Sequence, residues 1–256
     1  MSDAAKLPLM LSELRLPTIG RLWQEFAAQA DREGWGAAHF LATLCEHELA
    51  ERAARRIARH FALSGLPAGK TLTSFDFTAT PSLRKAHLAA LAAGDAWIEQ
   101  GANVLIFGPS GTGKTHAAAA IGAGLIDHGY RVLFTRTTDL VQKLQAARRD
   151  LALPATLAKL DKFDCLILDD LGYVRKDQAE TSVLFELIAE RYERRSLVIT
   201  CNQPFSEWGQ IFPDPAVTVA AIDRLARRPN AFFAAVNLVD EAFSIFCAHD
   251  HVVPER

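Results

Sequence analysis

Little in these 256 residues points to an exported, membrane-embedded or metal-clustered protein. The four cysteines, Cys45, Cys165, Cys201 and Cys247, are far apart and form no C-x-x-C pair. That excludes a recognisable disulfide framework or zinc pattern and favours a reducing compartment. No apolar run approaches the length needed to span a bilayer, and Met1 to Pro8 has no signal-peptide core, so a cytoplasmic protein with no membrane partner is expected. Charge of one sign is also lacking: the formal net charge is −2, so any attraction to nucleic acid must come from a local patch. No internal repeat or low-complexity tract is present. Apolar residues, by contrast, make up 50% of the chain, enough for a substantial core.

Against that background stands Gly108, Pro109, Ser110, Gly111, Thr112, Gly113, Lys114, Thr115, a complete G-x-x-x-x-G-K-[ST] phosphate loop. The run Asn103 to Phe107 before it reads as a strand buried on both faces. After it the alanine-rich run from Thr115 reads as a helix to about Asp127. Strand, glycine loop and helix N-terminus thus follow in the order phosphate binding needs. Glycines let the backbone curl until several N–H groups point inward, and the helix dipole adds to their pull. Lys114 is expected to neutralise the β and γ phosphates of a nucleoside triphosphate, Thr115 to ligate Mg²⁺, and the cradle to extend through His116.

Further along, Asp164 to Asp170 reads as a buried strand that delivers two carboxylates to its C-terminal edge, where open α/β sheets bind ligands. Asp169 is expected to hold the Mg²⁺ and Asp170 to orient the attacking water. The strand Leu197 to Cys201 ends at Asn202, whose amide suits either a γ-phosphate or a turn ahead of Pro204. A single helix is predicted from about Ser82 to Gln100, others at Thr138–Asp150, from Pro154 and at Gln178–Arg194, and a short strand at Phe232–Val236.

Residues 1 to about 62 read as helices without strands. One of them carries Arg52, Arg55, Arg56 and Arg59 at i, i+3, i+4, i+7 spacing, on one face. Two readings compete: a solvated face with Glu48 and Glu51 to pair, or a contact with the phosphate backbone of nucleic acid. Residues 1–60 balance eight Lys/Arg against eight Asp/Glu, so only the stripe is basic. Between Ser64 and Pro81 the composition shifts to Gly, Pro and Thr, a linker or boundary.

The ordered set GPSGTGKT, CLILDDLGYV, VITCNQPFSEW and TVAAIDRL resembles the IstB family, AAA+ helper ATPases encoded beside the transposase of one class of insertion sequences. DnaC-type helicase loaders share the plan. The resemblance implies a three-layer α/β P-loop (AAA+) domain with a parallel sheet, preceded by a small all-helical N-terminal module. It also implies an ATP- and Mg²⁺-dependent homo-oligomer on DNA that delivers a transposase. On its pattern Asp170 stands at the catalytic-acid position, Asn202 as γ-phosphate sensor, and Arg224 as the arginine inserted into a neighbouring subunit's site. Two features depart from it. Asp170 stands where most AAA+ proteins have Glu, implying weaker water positioning. The tail lacks the second sensor arginine, with no Lys or Arg between Arg228 and Arg256.

The expected layout is a helical module at 1–66 for partner or DNA contacts, an ATPase core at 67–205 and a small helical lid with an atypical tail at 206–256. The activity expected is ATP hydrolysis in the service of transposition. A helicase loader, or a barely catalytic nucleotide-dependent DNA-binding switch, is the alternative.

Overall fold

The computed structural model describes residues 3–80, 83–172, 177–226, 232–235 and 246–247. The tail positions 236–245 and 248–256, and so the missing sensor arginine, lie outside the described residues. The chain divides into two compact units, Met1–Arg59 and His60–Arg256. These differ from the boundaries expected after residues 66 and 205. No helix of the described residues is long and apolar enough to cross a membrane.

The first unit contains α1 (Asp3–Glu13), α2 (Pro17–Glu33) and most of α3, which runs Ala37–Ser64. Leu11, Ile19 and Leu44 form its small core, with Trp23, Phe26 and Phe40 packed against them. The chain turns from α1 to α2 through Arg15, whose φ of 56° is left-handed, and Pro17 opens α2, where a missing N–H costs nothing. No local side chain caps that helix start. Glu48, 2% exposed on α3, does so from a distance by accepting from the N–H groups of Thr18 (2.8 Å) and Ile19 (3.1 Å). Burial works to raise the Glu48 pKa. The N–H of Ile19, the Arg52 guanidinium and the N–H of Thr18 outweigh it and hold the carboxyl below its ordinary value.

The second unit is a three-layer α/β domain. Where one helix was predicted over Ser82–Gln100 there are two, α4 (Lys85–Ala93) and α5 (Asp95–Glu99). Gly94 separates them at φ 87°, and a Cβ there would lie 2.5 Å from the Tyr130 ring. The strands are β1 (Val104–Phe107), β2 (Val132–Arg136), β3 (Cys165–Leu171), β4 (Ser196–Cys201), β5 (Phe232–Ala235) and β6 (Phe246–Cys247). They lie in the order β2-β3-β4-β1-β5-β6, with β6 alone antiparallel. The tail segment expected to be a helical lid therefore contributes β5 to the main sheet, beside β1.

Alternation along the strands divides the sheet's two faces. Leu105, Leu166, Leu168, Leu197 and Ile199 pack with α7 (Thr137–Arg149), α8 (Leu153–Leu160), α9 (Gln178–Arg191) and α10 (Pro215–Ala226). The other face meets α6 (Lys114–Asp127), where a Cβ on Gly122 would lie 2.6 Å from Ile167 Cδ1, so a larger residue would require that side chain to shift. The chain leaves β1 toward β2 on one side and reaches β5 on the other, so β1 is the switch point where such sheets open a crevice.

Candidate nucleotide site

The carboxyl ends of β1, β3 and β4 are neighbours, because β4 pairs with both of the others. After Phe107 the chain enters the loop, tied to β4 by the Gly108 N–H donating to the Cys201 carbonyl at 3.2 Å. Gly111 and Gly113 take φ values of 83° and 87°, a left-handed geometry open to residues without a Cβ. Gly113 precedes α6 without supplying a side-chain cap, so the first N–H groups of a fourteen-residue helix are left facing the loop. Lys114, 5% exposed, donates to the Pro109 carbonyl at 2.7 Å. Burial lowers its pKa, while the charges of Asp170 and Asp169 pull it back up. A buried cation held by a neutral carbonyl is the partner a polyphosphate requires.

Asp169 is buried and holds the centre of a hydroxyl cluster. Both its carboxylate oxygens lie 3.0 Å from Thr115 Oγ1, and Thr200 Oγ1 donates to Oδ1 at 2.6 Å. Its own carbonyl accepts from Thr137 Oγ1 at 2.9 Å. Burial pushes the carboxyl above its ordinary value; the Thr200 and Thr115 hydrogen bonds oppose that push, and the charge of Asp170 adds to it. Mg²⁺ fits this donor set, since a carboxylate and a hydroxyl converge beside the phosphate loop and a hard cation takes oxygen ligands.

Asp170 owes its position to an irregularity. Leu168 pairs with Ile199 but Leu171 with Cys201, so β3 carries one residue more than β4 over this stretch. Asp170, at φ 57°, occupies the bulge, and its N–H donates to Thr200 Oγ1 at 2.9 Å. Thr200 thus joins the two acids, one through its carboxylate and the other through its backbone. The sequence reading passed over both Thr200 and Thr137. A signal existed for Thr200, the one hydroxyl in the apolar run Leu197–Cys201, since a buried hydroxyl needs a partner.

The stretch read as a linker or boundary is also part of this region. Phe75 is 7% exposed, its ring 5.0 Å from that of His116 and 3.7 Å from where a Gly113 Cβ would be. His116 Nε2 is 3.2 Å from Ser74 Oγ and 3.1 Å from the Thr71 carbonyl. His116 therefore anchors the 71–75 segment over the start of α6.

Asn202 and Arg224 make no hydrogen bond to this cluster. Asn202 follows β4, half-buried, and its side chain bonds to no described residue. Arg224, on α10, donates to the Ala220 carbonyl at 3.1 Å and lies 4.8 Å from the centre of the Phe185 ring, with no contact to the phosphate-loop residues. In the helical unit, Arg52 and Arg55 are bound to Glu48, at 3.0 and 3.5 Å, while Arg56 and Arg59 are exposed and form no ion pair with a described residue.

Comparison with known proteins adds the decisive observation. Residues 9–233 match the family described as IstB-like ATP binding protein. The chain belongs to the IstB-like ATP-binding family. It is 66% identical over 230 residues, 90% of its length and 77% of the relative's, to a Sinorhizobium fredii protein named as an insertion-sequence ATP-binding protein. It is 36% identical to the IS5376 ATP-binding protein of Geobacillus stearothermophilus, over 91% of this chain and 90% of that one. Among solved structures, the DnaC helicase loader superposes with a TM-score of 0.54 at 19% identity, over 66% of this chain and 97% of that one. DnaA from Aquifex aeolicus bound to AMPPCP gives 0.55 at 17%, over 68% and 51%. At such identities these two establish the P-loop AAA+ fold, and the IstB-like sequence is one more chain built on it.

Proposed function

We propose that this IstB-like protein is a Mg²⁺-dependent ATPase of insertion-sequence transposition, which assembles on double-stranded DNA and recruits the element's transposase. The observation that carries the catalytic part is the Thr115–Asp169–Thr200–Asp170 chain of hydrogen bonds beside Lys114. The insertion-sequence part rests on the names of the relatives.

Mg²⁺, when bound, supplies charge that screens the phosphate oxygens and lowers the barrier to phosphoryl transfer. The chain's own residues do the rest. Backbone N–H groups from Gly111 to Thr115 hold the phosphates, and Lys114 leaves the Pro109 carbonyl for the β and γ oxygens. Thr115 and Asp169 hold the metal, with Thr200 fixing the rotamer of the acid. Asp170 accepts the proton of the attacking water, and Asn202 lies at the strand end from which an amide reaches the γ-phosphate. An oligomer would bring Arg224 to a neighbour's site, once it leaves Phe185.

Lys114→Ala should abolish ATP binding with the fold retained, since a triphosphate loses its principal cation. Equal affinity in variant and parent, by titration with a fluorescent ATP analogue, defeats the assignment. Asp169→Asn should stop turnover and weaken Mg²⁺-dependent binding. A second reading, a nucleotide-dependent switch that barely hydrolyses, is favoured by Asp170, one methylene shorter than Glu and pinned by its backbone to Thr200. Single-turnover hydrolysis with and without DNA separates the two. Retention of the co-encoded transposase, rather than a replicative helicase, on the immobilised full chain tests the partner.

A further inference from the structure

The helical unit contains a cavity of about 440 Å³ lined by Ser12, Arg15, Pro17, Arg52, Arg55 and Arg59. Three of these arginines belong to the α3 stripe. Arg15 does not; it comes from the α1–α2 turn, where its left-handed φ directs the chain back toward α3. Arg56, although on the stripe, is absent from the lining.

Two of the guanidiniums are fixed in place. Arg52 donates through Nε to Glu48 at 3.0 Å and through Nη2 to the Arg15 carbonyl. Arg55 donates through Nε to the Glu51 carbonyl at 3.2 Å and through Nη2 to Thr18 Oγ1 at 3.3 Å, leaving its Nη1 hydrogens unspent. The side chains of both remain about half exposed, at 47% and 48%. Among described residues Glu48 is the one carboxylate paired with any of the four, its Oε2 engaged by the α2 N–H groups and its Oε1 shared between Arg52 and Arg55. The Glu51 carboxylate faces Arg21 instead, at 3.8 Å. Four cations thus converge on a solvent-open hollow against a single committed anion. Clustered like charge of this kind, with two of its guanidiniums already held, binds phosphate at a reduced ordering cost.

We infer that this cavity seats one backbone phosphate of nucleic acid, with Arg15, Arg52, Arg55 and Arg59 around it and the Ser12 hydroxyl as a further donor. The inference rests on the DNA-binding reading above and changes its residues: Arg15 enters and Arg56 leaves. The half-exposed guanidiniums favour a phosphate on a chain that runs past the opening over one enclosed on all sides.

The test is duplex binding by the full-length protein across a salt series. The Arg15 side chain makes no hydrogen bond to a described residue, and it is the backbone carbonyl that holds Arg52, so Arg15→Gln should melt as the parent does. Arg15→Gln and Arg59→Gln should each flatten the log-affinity against log-salt slope by up to about 0.9, the value for one phosphate contact on B-form DNA. Arg56→Gln should leave it unchanged. If Arg56→Gln flattens the slope and Arg15→Gln does not, the cavity is overturned while DNA binding by the stripe survives. If all three bind as the parent does, the cavity is overturned, and a DNA contact by the stripe would rest on Arg52 and Arg55 alone. If the parent binds no duplex, calorimetry with inorganic pyrophosphate decides: heat lost in Arg15→Gln keeps an anion site for a free phosphate ligand, and no heat overturns it.

Discussion

At the scale of single residues the most informative side chain is Thr200, which acts on Asp169 and Asp170 without reaching a phosphate itself. Its hydroxyl donates to one acid and accepts from the backbone of the other. Thr200→Val keeps the shape and removes both bonds, so kcat should fall about 10- to 100-fold, the usual cost of losing a group that orients a metal ligand. The Mg²⁺ concentration for half-maximal activity should rise, and Thr200→Ser should recover most of the loss. A Val variant with parental Mg²⁺ dependence would reduce Thr200 to packing. Glu48 gives a prediction in pH. Its folded pKa lies below the ordinary value of 4.5, so its contribution is present above that pH and is lost as the pH falls through the lowered value. Glu48→Gln should therefore melt below the parent at neutral pH, and the gap should close as both are acidified. A gap independent of pH would show that shape, not charge, makes the cap.

At the scale of elements, Arg191 shows how the ends of helices and strands are held together. It is 1% exposed on α9 and donates to the carbonyls of Leu160 at the end of α8, Phe163 before β3 and Ser196 at the start of β4. Burial pulls its pKa down to about 10, so it remains charged at neutral pH. Arg191→Met would remove the buried guanidinium that these carbonyls share, the Leu160 carbonyl keeping only the Phe163 N–H, at a cost of about 3 kcal/mol or more. That corresponds to a melting temperature lower by roughly 6–12 °C for a domain of this size. An unchanged melt would mean that water replaces the guanidinium. The same scale explains the misread helix before β1. An apolar alanine-rich run reads as continuous, and Gly94 was legible only as a weak break. The helix ends where Gly94 takes a φ of 87°, and the Tyr130 ring that the fold brings beside it leaves no room there for a Cβ.

At the scale of the whole molecule, hydrolysis in an oligomer would require Arg224 to leave Phe185, so activity should depend on assembly. Specific activity should rise with protein concentration, and Arg224→Ala should bind ATP while losing about 10³ to 10⁵ in rate, the contribution typical of arginine fingers. Turnover independent of concentration in the parent would exclude a role across subunits. The phosphate loop, the buried strands and the acids at the end of β3 were legible in the sequence, because each is set by neighbours in the chain. Glycines permit the curl of 108–113 wherever it occurs, and a short apolar run ending in carboxylates has few other uses. Tertiary structure alone decided which groups complete the site. Thr115 meets Asp169 across 54 positions and Thr200 meets it across 31. The bulge that holds Asp170 exists only because β3 and β4 pair out of step. The arginine stripe shows the same division: helical periodicity put four guanidiniums on one face, but the Glu48 cap and the turn at Arg15, both made by packing α3 against the start of α2, determined which of them surround the cavity.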